Sequence, residues 1–119
     1  MRFEDLVAWQ KARALAKRIY ELTSAGRLSR DWGLKDQIQR AAVSIMANVA
    51  EGFERGRKAE FHHFLSIAKG SCAELRSHLY VAFDVGYISE QDFQGVLQIA
   101  EETGRVIGGL KASVNAKPR

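Results

Sequence analysis

The chain has 119 residues, of which 46% are hydrophobic and 27% charged, with one cysteine and one proline. This composition is typical of a globular domain and excludes both a disulfide framework and a disordered polar chain. No apolar run is long enough to span a bilayer, and the N-terminus lacks the apolar core of a signal peptide. We therefore expect one domain over residues 1–119, located in the cytoplasm.

The formal charge of +4 is unevenly distributed along the chain. Residues 1–30 contain seven Lys and Arg against three acids, and the remainder is neutral. A basic N-terminal segment is compatible with an acidic partner or with nucleic acid. Basic helix faces are also ordinary solvated surface, so the charge count alone leaves both interpretations open.

The first predicted helix runs from about Phe3 to Thr23 and has an unusually wide apolar arc. One stripe at heptad spacing consists of Ala8, Ala12, Leu15, Ile19 and Leu22, and a second consists of Leu6, Trp9, Ala16 and Tyr20. Together they cover about 200° of the helix, whereas a surface helix needs an apolar face of about 100°. We predict that Trp9, Ala16 and Tyr20 lie at a subunit interface. Alternatively, the aromatic rings cover the end of the molecule.

The second predicted helix, from about Leu34 to Phe53, follows a loop in which Ser29 and Asp31 are candidate caps. It is apolar nearly all round, which is typical of a buried helix. Its polar residues form one narrow stripe, namely Gln37, Arg40, Ser44, Asn48, Glu51 and Arg55. We interpret this stripe as a structural polar seam, with Glu51 and Arg55 paired at i,i+4. The alternative is a ligand or catalytic site, but the stripe offers one carboxylate and neither His nor Cys.

Two further helices complete the predicted fold. The third runs from about Lys58 to Val85 and contains Gly70, which suggests a close helix approach there. The fourth opens at Ser89, with Asp92 placed for a capping interaction, and its tail is expected to fray from about residue 114. Four amphipathic helices joined by short turns predict an all-α, antiparallel, up-down-up-down four-helix bundle.

Chemistry-bearing residues are sparse. His62 and His63 are adjacent and point about 100° apart on a helix, so they do not chelate one ion. His78 with Glu74 at i−4 is a weak metal signal, and no P-loop, HExxH or GxSxG motif occurs. We therefore predict no catalytic residues, no metal and no cofactor, and a small bundle enzyme is the least supported class.

The run QIQRAAVSIMANVAEG at 37–52 resembles the signature of a bacterial four-helix bundle family, the 23S rRNA intervening-sequence protein family. The other matching positions are Leu6, Trp9, Lys11, Ala12, Tyr20, Arg55, Glu60, Phe61, Phe64, Leu65, Ala68, Gly70 and Ser71. One departure is Met46, where members often carry proline, and its presence implies a straighter second helix.

The resemblance implies an antiparallel bundle that assembles into a ring, with a homopentamer as the expected state. Some members are encoded within insertions of large-subunit ribosomal RNA genes. The chain is also similar to the accessory variability determinant of diversity-generating retroelements, in which a basic ring surface contacts RNA and the reverse transcriptase. No catalytic residue is implied.

These observations together predict a non-catalytic, oligomeric binding module with RNA as its partner. The predicted nucleic-acid contacts are Lys11, Lys17, Arg18, Arg55, Arg57 and Lys58, with Arg13 on the opposite flank of the first helix. The alternative is a protein–protein scaffold or accessory factor, for example to a reverse transcriptase, without nucleic-acid binding.

Overall fold

The computed structural model describes residues 1–115, of which 87% are helical, and it confirms the all-α class. Its α-helices are Val7–Thr23 (α1), Trp32–Glu54 (α2), Lys58–Asp84 (α3) and Glu90–Asn115 (α4). Short 3-10 turns at Phe3–Asp5 and Arg27–Arg30 precede α1 and α2. The sequence predicts a tail that frays from about residue 114, but α4 continues through Asn115, so this expectation is wrong for residues 114 and 115. Residues 116–119 lie outside the described part of the chain.

The helices pack as an antiparallel up-down-up-down bundle that measures 53 × 20 × 20 Å. Each helix packs against the next one in the chain, and α4 returns to pack against α1. Neighbouring residues across the helix pairs are Lys11 with Glu102, Arg18 with Asp92, Ser44 with Ser71, and Gly52 with Phe64. Because residue numbers rise along one helix as they fall along its neighbour, each of these pairs is antiparallel.

The core is one continuous apolar cluster to which all four helices contribute. Its largest fully buried aliphatic side chains are Leu15, Ile19, Leu28, Ile38, Ile45, Leu65, Leu75, Leu79, Ile107, Val49 and Val96. Burial of each such side chain favours folding by about 1.5–3 kcal/mol, so the core needs neither a disulfide nor a metal. The first apolar stripe predicted on α1 is buried as expected, whereas α2 is not buried all round, since Val43 is 41% exposed.

A side-chain clamp joins the α1–α2 and α3–α4 loops at one end of the bundle. Asp31 accepts from the backbone N–H of Leu34 at 3.1 Å, which confirms it as the cap of α2. Its other carboxylate oxygen accepts from the Tyr87 hydroxyl at 3.0 Å. Arg27 donates to the carbonyl of Gly86 at 2.9 Å and lies over the Tyr87 ring. The pKa of Tyr87 is raised mainly by its hydrogen bond to Asp31, and burial contributes to a smaller extent.

The structure also tests the other two predicted caps. Ser89 accepts from the backbone N–H of Asp92 at 3.0 Å, so the predicted start of α4 is confirmed. Ser29 instead donates to the carbonyl of Gly26 at 2.6 Å within the loop. It therefore stabilises the turn before α2 rather than the helix end.

The close helix approach occurs at Gly52, and its prediction at Gly70 is wrong. A Cβ atom on Gly70 would meet nothing within 4 Å, because this residue lies on the exposed face of α3. A Cβ on Gly52 would lie 2.7 Å from Cβ of Phe64 and 3.1 Å from the ring of Phe61. The absence of a side chain at Gly52 thus lets α2 approach α3.

The wide apolar arc of α1 is largely covered within the chain. Ala16 is buried, and Trp9 packs edge-on against Phe3 with ring centroids 5.2 Å apart. Tyr20 alone of the predicted interface residues is exposed, at 47%. The prediction of Ala16 as an interface residue is corrected, because its small side chain lies between α1 and the core. Tyr20 and the accessible edge of Trp9 remain predicted interface groups.

Candidate nucleic-acid interface

Two of the three cations predicted on α1 form ion pairs with α4. The Lys11 ammonium lies 3.1 Å from a carboxylate oxygen of Glu102, and the Arg18 guanidinium lies 3.4 Å from Asp92. Lys17 is exposed and has no ion-pair partner among the described residues. Because each pair brings a carboxylate beside the cation, Lys17 is the most available phosphate contact of this group.

The turn between α2 and α3 holds the second predicted group. Arg55 lies 2.8 Å from Glu51 and 3.9 Å from Glu60, and its guanidinium stacks over the ring of Phe64. The hydrogen bond with Glu51 is the main cause of a raised Arg55 pKa. Arg57 and Lys58 are exposed and unpaired within residues 1–115. The structure therefore brings together two available cations at this turn and one that carboxylates neutralise.

The predicted polar seam on α2 is interrupted. Gln37, Arg40, Glu51 and Arg55 are exposed, so the expectation of a seam buried along its whole length is wrong. Arg40 pairs with Asp36 on its own helix at 2.7 Å, which raises the Arg40 pKa. The reason is geometric: in the described bundle α2 has an outer surface, and these long side chains reach solvent from it.

The middle of the seam does form a structural network. The Ser44 and Ser71 hydroxyls lie 2.9 Å apart and join α2 to α3. Asn48 donates to the carbonyl of Ser44 at 2.8 Å and to its hydroxyl at 3.0 Å. The network satisfies half-buried polar groups and fixes the relative height of the two helices.

An elongated groove between α3 and α4 contains cations that the sequence-based prediction missed. Its volume is about 860 Å³. The lining residues are His62, Lys69, Cys72, Ala73, Arg76, Glu101, Gly104, Arg105, Gly108, Lys111 and Ala112. Four of these are basic and one is acidic. None of the four basic side chains has an ion-pair partner in the described part of the chain, unlike Lys11 and Arg18.

A helical spacing in the sequence could have revealed one wall of this groove. Lys58, His62, Lys69 and Arg76 are separated by four, seven and seven residues. Such spacings place all four within about 40° on one helix face. The opposite wall is contributed by α4, and no local sequence pattern indicates which α4 side chains face α3.

No cluster of three or more His, Cys, Asp or Glu side chains that could hold a metal ion occurs within residues 1–115. His78 lies 3.6 Å from Glu74, an isolated pair. Cys72 is 2% exposed, and burial raises the pKa of its thiol to about 11, with a smaller opposing effect of Arg76 and Lys69. Its thiol is therefore neutral and a poor nucleophile near neutral pH.

Comparison with known sequences shows that the family described as 23S rRNA-intervening sequence protein matches residues 4–109. The chain belongs to this family. None of the curated proteins matches it. The family match covers all of α1 to α3 and most of α4. The signature at 37–52 lies within α2, which packs against α1 and α3.

A solved structure confirms the family fold. It is a protein of unknown function from the S23 ribosomal protein family of Bacteroides thetaiotaomicron VPI-5482. The two chains superpose with a TM-score of 0.80 at 21% sequence identity, covering 92% of this chain and 100% of the other. In the present chain, none of the helices within residues 1–115 is long and apolar enough to cross a membrane.

Proposed function

We propose that this member of the 23S rRNA-intervening sequence protein family is a non-catalytic, oligomeric binding module for RNA, acting in the cytoplasm. The name of the family associates it with ribosomal RNA insertions. The observation that carries the proposal is a set of exposed cations that have no carboxylate partner within residues 1–115, which includes Lys17, Arg57 and Lys58. Such cations release condensed counterions when they meet phosphates, and this release drives sequence-independent nucleic-acid binding.

Oligomerisation would multiply these contacts. Five copies would carry a formal charge of +20, five times the +4 of one chain, and would offer repeated weak phosphate contacts to one RNA. Light scattering at micromolar concentration tests the assembly, for which we expect a pentamer. The same measurement on Tyr20→Ser tests the interface, because replacing an interface ring with a small polar group should weaken association. A monomeric wild-type protein would contradict both expectations.

A salt titration tests RNA binding itself. We expect binding to a pool of structured RNA with an affinity that falls steeply as salt rises. In Lys17→Gln/Arg57→Gln/Lys58→Gln, the slope of log affinity against log salt should become shallower. A matched control is Lys11→Gln/Arg18→Gln, which removes cations that ion pairs already occupy and should change the slope less. Absence of wild-type binding at low salt would refute the proposal.

Exposed apolar side chains favour a second candidate, a protein-interaction scaffold or accessory factor. Trp32 is 77% exposed, and Tyr80, Val81 and Val85 near the end of α3 are about half exposed. Exposed rings of this kind are common at protein interfaces. This function predicts a partner, such as a reverse transcriptase, whose binding resists salt and is lost in Trp32→Ala. The RNA proposal predicts instead that Trp32→Ala retains RNA affinity.

A further inference from the structure

The groove between α3 and α4 differs from the predicted basic surfaces because its cations face each other. Lys69 and Arg76 lie on α3, and Arg105 and Lys111 lie on α4. Within each helix the two cations are about 10 Å apart along the axis. Glu101 is the one carboxylate that residues 1–115 contribute to the lining, so the described lining has a clear excess of positive charge. A concave surface with charges of one sign concentrates the field and attracts an anionic ligand.

Small residues give the groove its depth. Gly104 lies beside Cys72, where a Cβ would be 3.8 Å from the cysteine Cβ. Gly108 lies under the Lys69 side chain, whose Cε would be 3.0 Å from an added Cβ. Because α4 has no side chains at these two positions, its backbone forms the floor of the groove, and the Lys69 side chain fits over it at Gly108. The lysine stem crosses that space and holds its ammonium close to the floor.

The dimensions suit a single strand. From His62 to Arg76 the α3 wall is about 20 Å long, enough to run beside several successive phosphates. Axes of packed helices are about 8–10 Å apart. A duplex, whose major groove alone is about 12 Å wide, is too broad to enter such a channel. Among the described lining residues only His62 has a ring, so they do not form the aromatic array with which proteins stack successive bases.

We propose that the α3–α4 groove binds one strand of a nucleic-acid sugar–phosphate backbone, without base specificity. This inference rests on the proposed RNA function and assigns its main contact site. Lys69, Arg105 and Lys111 contact phosphates, while Gly104 provides space for the strand and Gly108 leaves room for the Lys69 stem. On α3 the basic face continues through His62 to Lys58, so the strand leaves the groove at the basic α2–α3 turn.

Removal of charge tests the site with a matched control. Lys69→Gln/Arg105→Gln/Lys111→Gln removes three positive charges from the groove. Lys11→Gln/Arg18→Gln/Arg40→Gln removes three from outside it, at cations that already pair with carboxylates. The net charge is the same in both variants. Binding to a fluorescent single-stranded RNA is measured from low to moderate salt. Loss of three phosphate contacts should reduce the slope of log affinity against log salt by about 2 in the groove variant, and by less in the control.

Filling the groove without changing its charge provides an independent test. Gly104→Met places an unbranched chain on the floor, and methionine favours helix over glycine, so the fold is retained. Gly109→Met is the control, because a Cβ at this exposed position of α4 meets nothing within 4 Å. Loss of one charge-assisted contact would weaken RNA binding by about tenfold or more in Gly104→Met. Gly109→Met should bind like the wild type, and thermal melts verify the fold of both.

The outcomes separate this inference from the broader function. Wild-type binding that neither the groove charges nor Gly104→Met affects would overturn the groove site while the RNA function stands. Absence of wild-type binding would overturn both. If polyglutamate of equal charge binds as tightly as RNA and loses affinity equally in the groove variant, the groove recognises acidic polypeptides and the inference is wrong. Equal affinity for duplex and single-stranded RNA would also contradict it.

Discussion

Replacement of Gly52 by alanine tests how α2 and α3 are held together. The new Cβ would lie 2.7 Å from Cβ of Phe64 and 3.1 Å from Cδ1 of Phe61. The first atom is attached directly to the α3 backbone, so no side-chain rotation moves it away. The two helices must separate by several tenths of an ångström, which also disturbs the packing on either side of the contact.

Two opposing effects determine the size of the change. Alanine favours helix over glycine by about 1 kcal/mol. Overpacking of a well-packed core destabilises by about 1–3 kcal/mol, and a contact with an atom this close to the backbone belongs near the upper limit. We therefore expect Gly52→Ala to lower the free energy of unfolding by about 1–2 kcal/mol, which corresponds to a fall in Tm of about 4–8 °C.

Thermal and urea unfolding measure this change, and Gly70→Ala is the matched control. Gly70 lies in the interior of α3 with nothing within 4 Å of its added Cβ, so alanine there should stabilise the protein by up to about 1 kcal/mol. The same substitution thus has opposite signs at the two positions. A Gly52→Ala protein that unfolds at or above the wild-type temperature would show that the α2–α3 contact is not tight.

Three further substitutions have defined outcomes. Glu51→Ala should leave Tm unchanged within error, because its pair with Arg55 is exposed. A large fall in Tm would instead support a buried Glu51–Arg55 pair. Ser71→Ala removes the hydroxyl contact with Ser44 and should lower the free energy of unfolding by about 1 kcal/mol in urea titrations, whereas no change would mean that water replaces it. Burial raises the pKa of the Cys72 thiol from about 9 in the unfolded chain to about 11 in the folded one. The neutral thiol therefore stabilises the folded state below pH 9, and this contribution is lost as the pH rises from about 9 to 11. Cys72→Ala should lack that loss, so the difference in unfolding free energy between wild type and variant should change by about 2–3 kcal/mol over this interval; a constant difference would contradict the assigned pKa.

Local sequence signals were sufficient for the helices and the bundle. The 3.6-residue periodicity of apolar side chains identifies each inward face, and Asp31 and Ser89 mark helix starts through their own hydrogen bonds. Local sequence signals could not predict where α2 and α3 approach most closely. Gly52 and Gly70 have the same chemistry, and only the register between α2 and α3 decides which of them meets a neighbour.

The candidate site depends more strongly on tertiary structure. Lys11 and Arg18 look available in the sequence, yet α4 places a carboxylate beside each of them. Lys69 and Arg105 are far apart in the chain, yet they line the same groove. The net charge of a segment is therefore a poor guide to its available charge, because ion pairs between helices are set by register rather than by local composition.

Two faces of α3 have different surroundings, because one packs against α2 and the other lines the groove that we propose as an RNA site. One face meets α2 through Ser71 and Phe64, where a hydrogen bond and a tight contact fix the helix position. Another face carries Lys69 and Arg76 toward α4. The family signature at 37–52 contacts the first face through Ser44 and Gly52, and none of its residues lines the groove. Substitutions on the α2 side should therefore change stability with little effect on RNA affinity at temperatures well below unfolding, whereas groove substitutions should do the reverse.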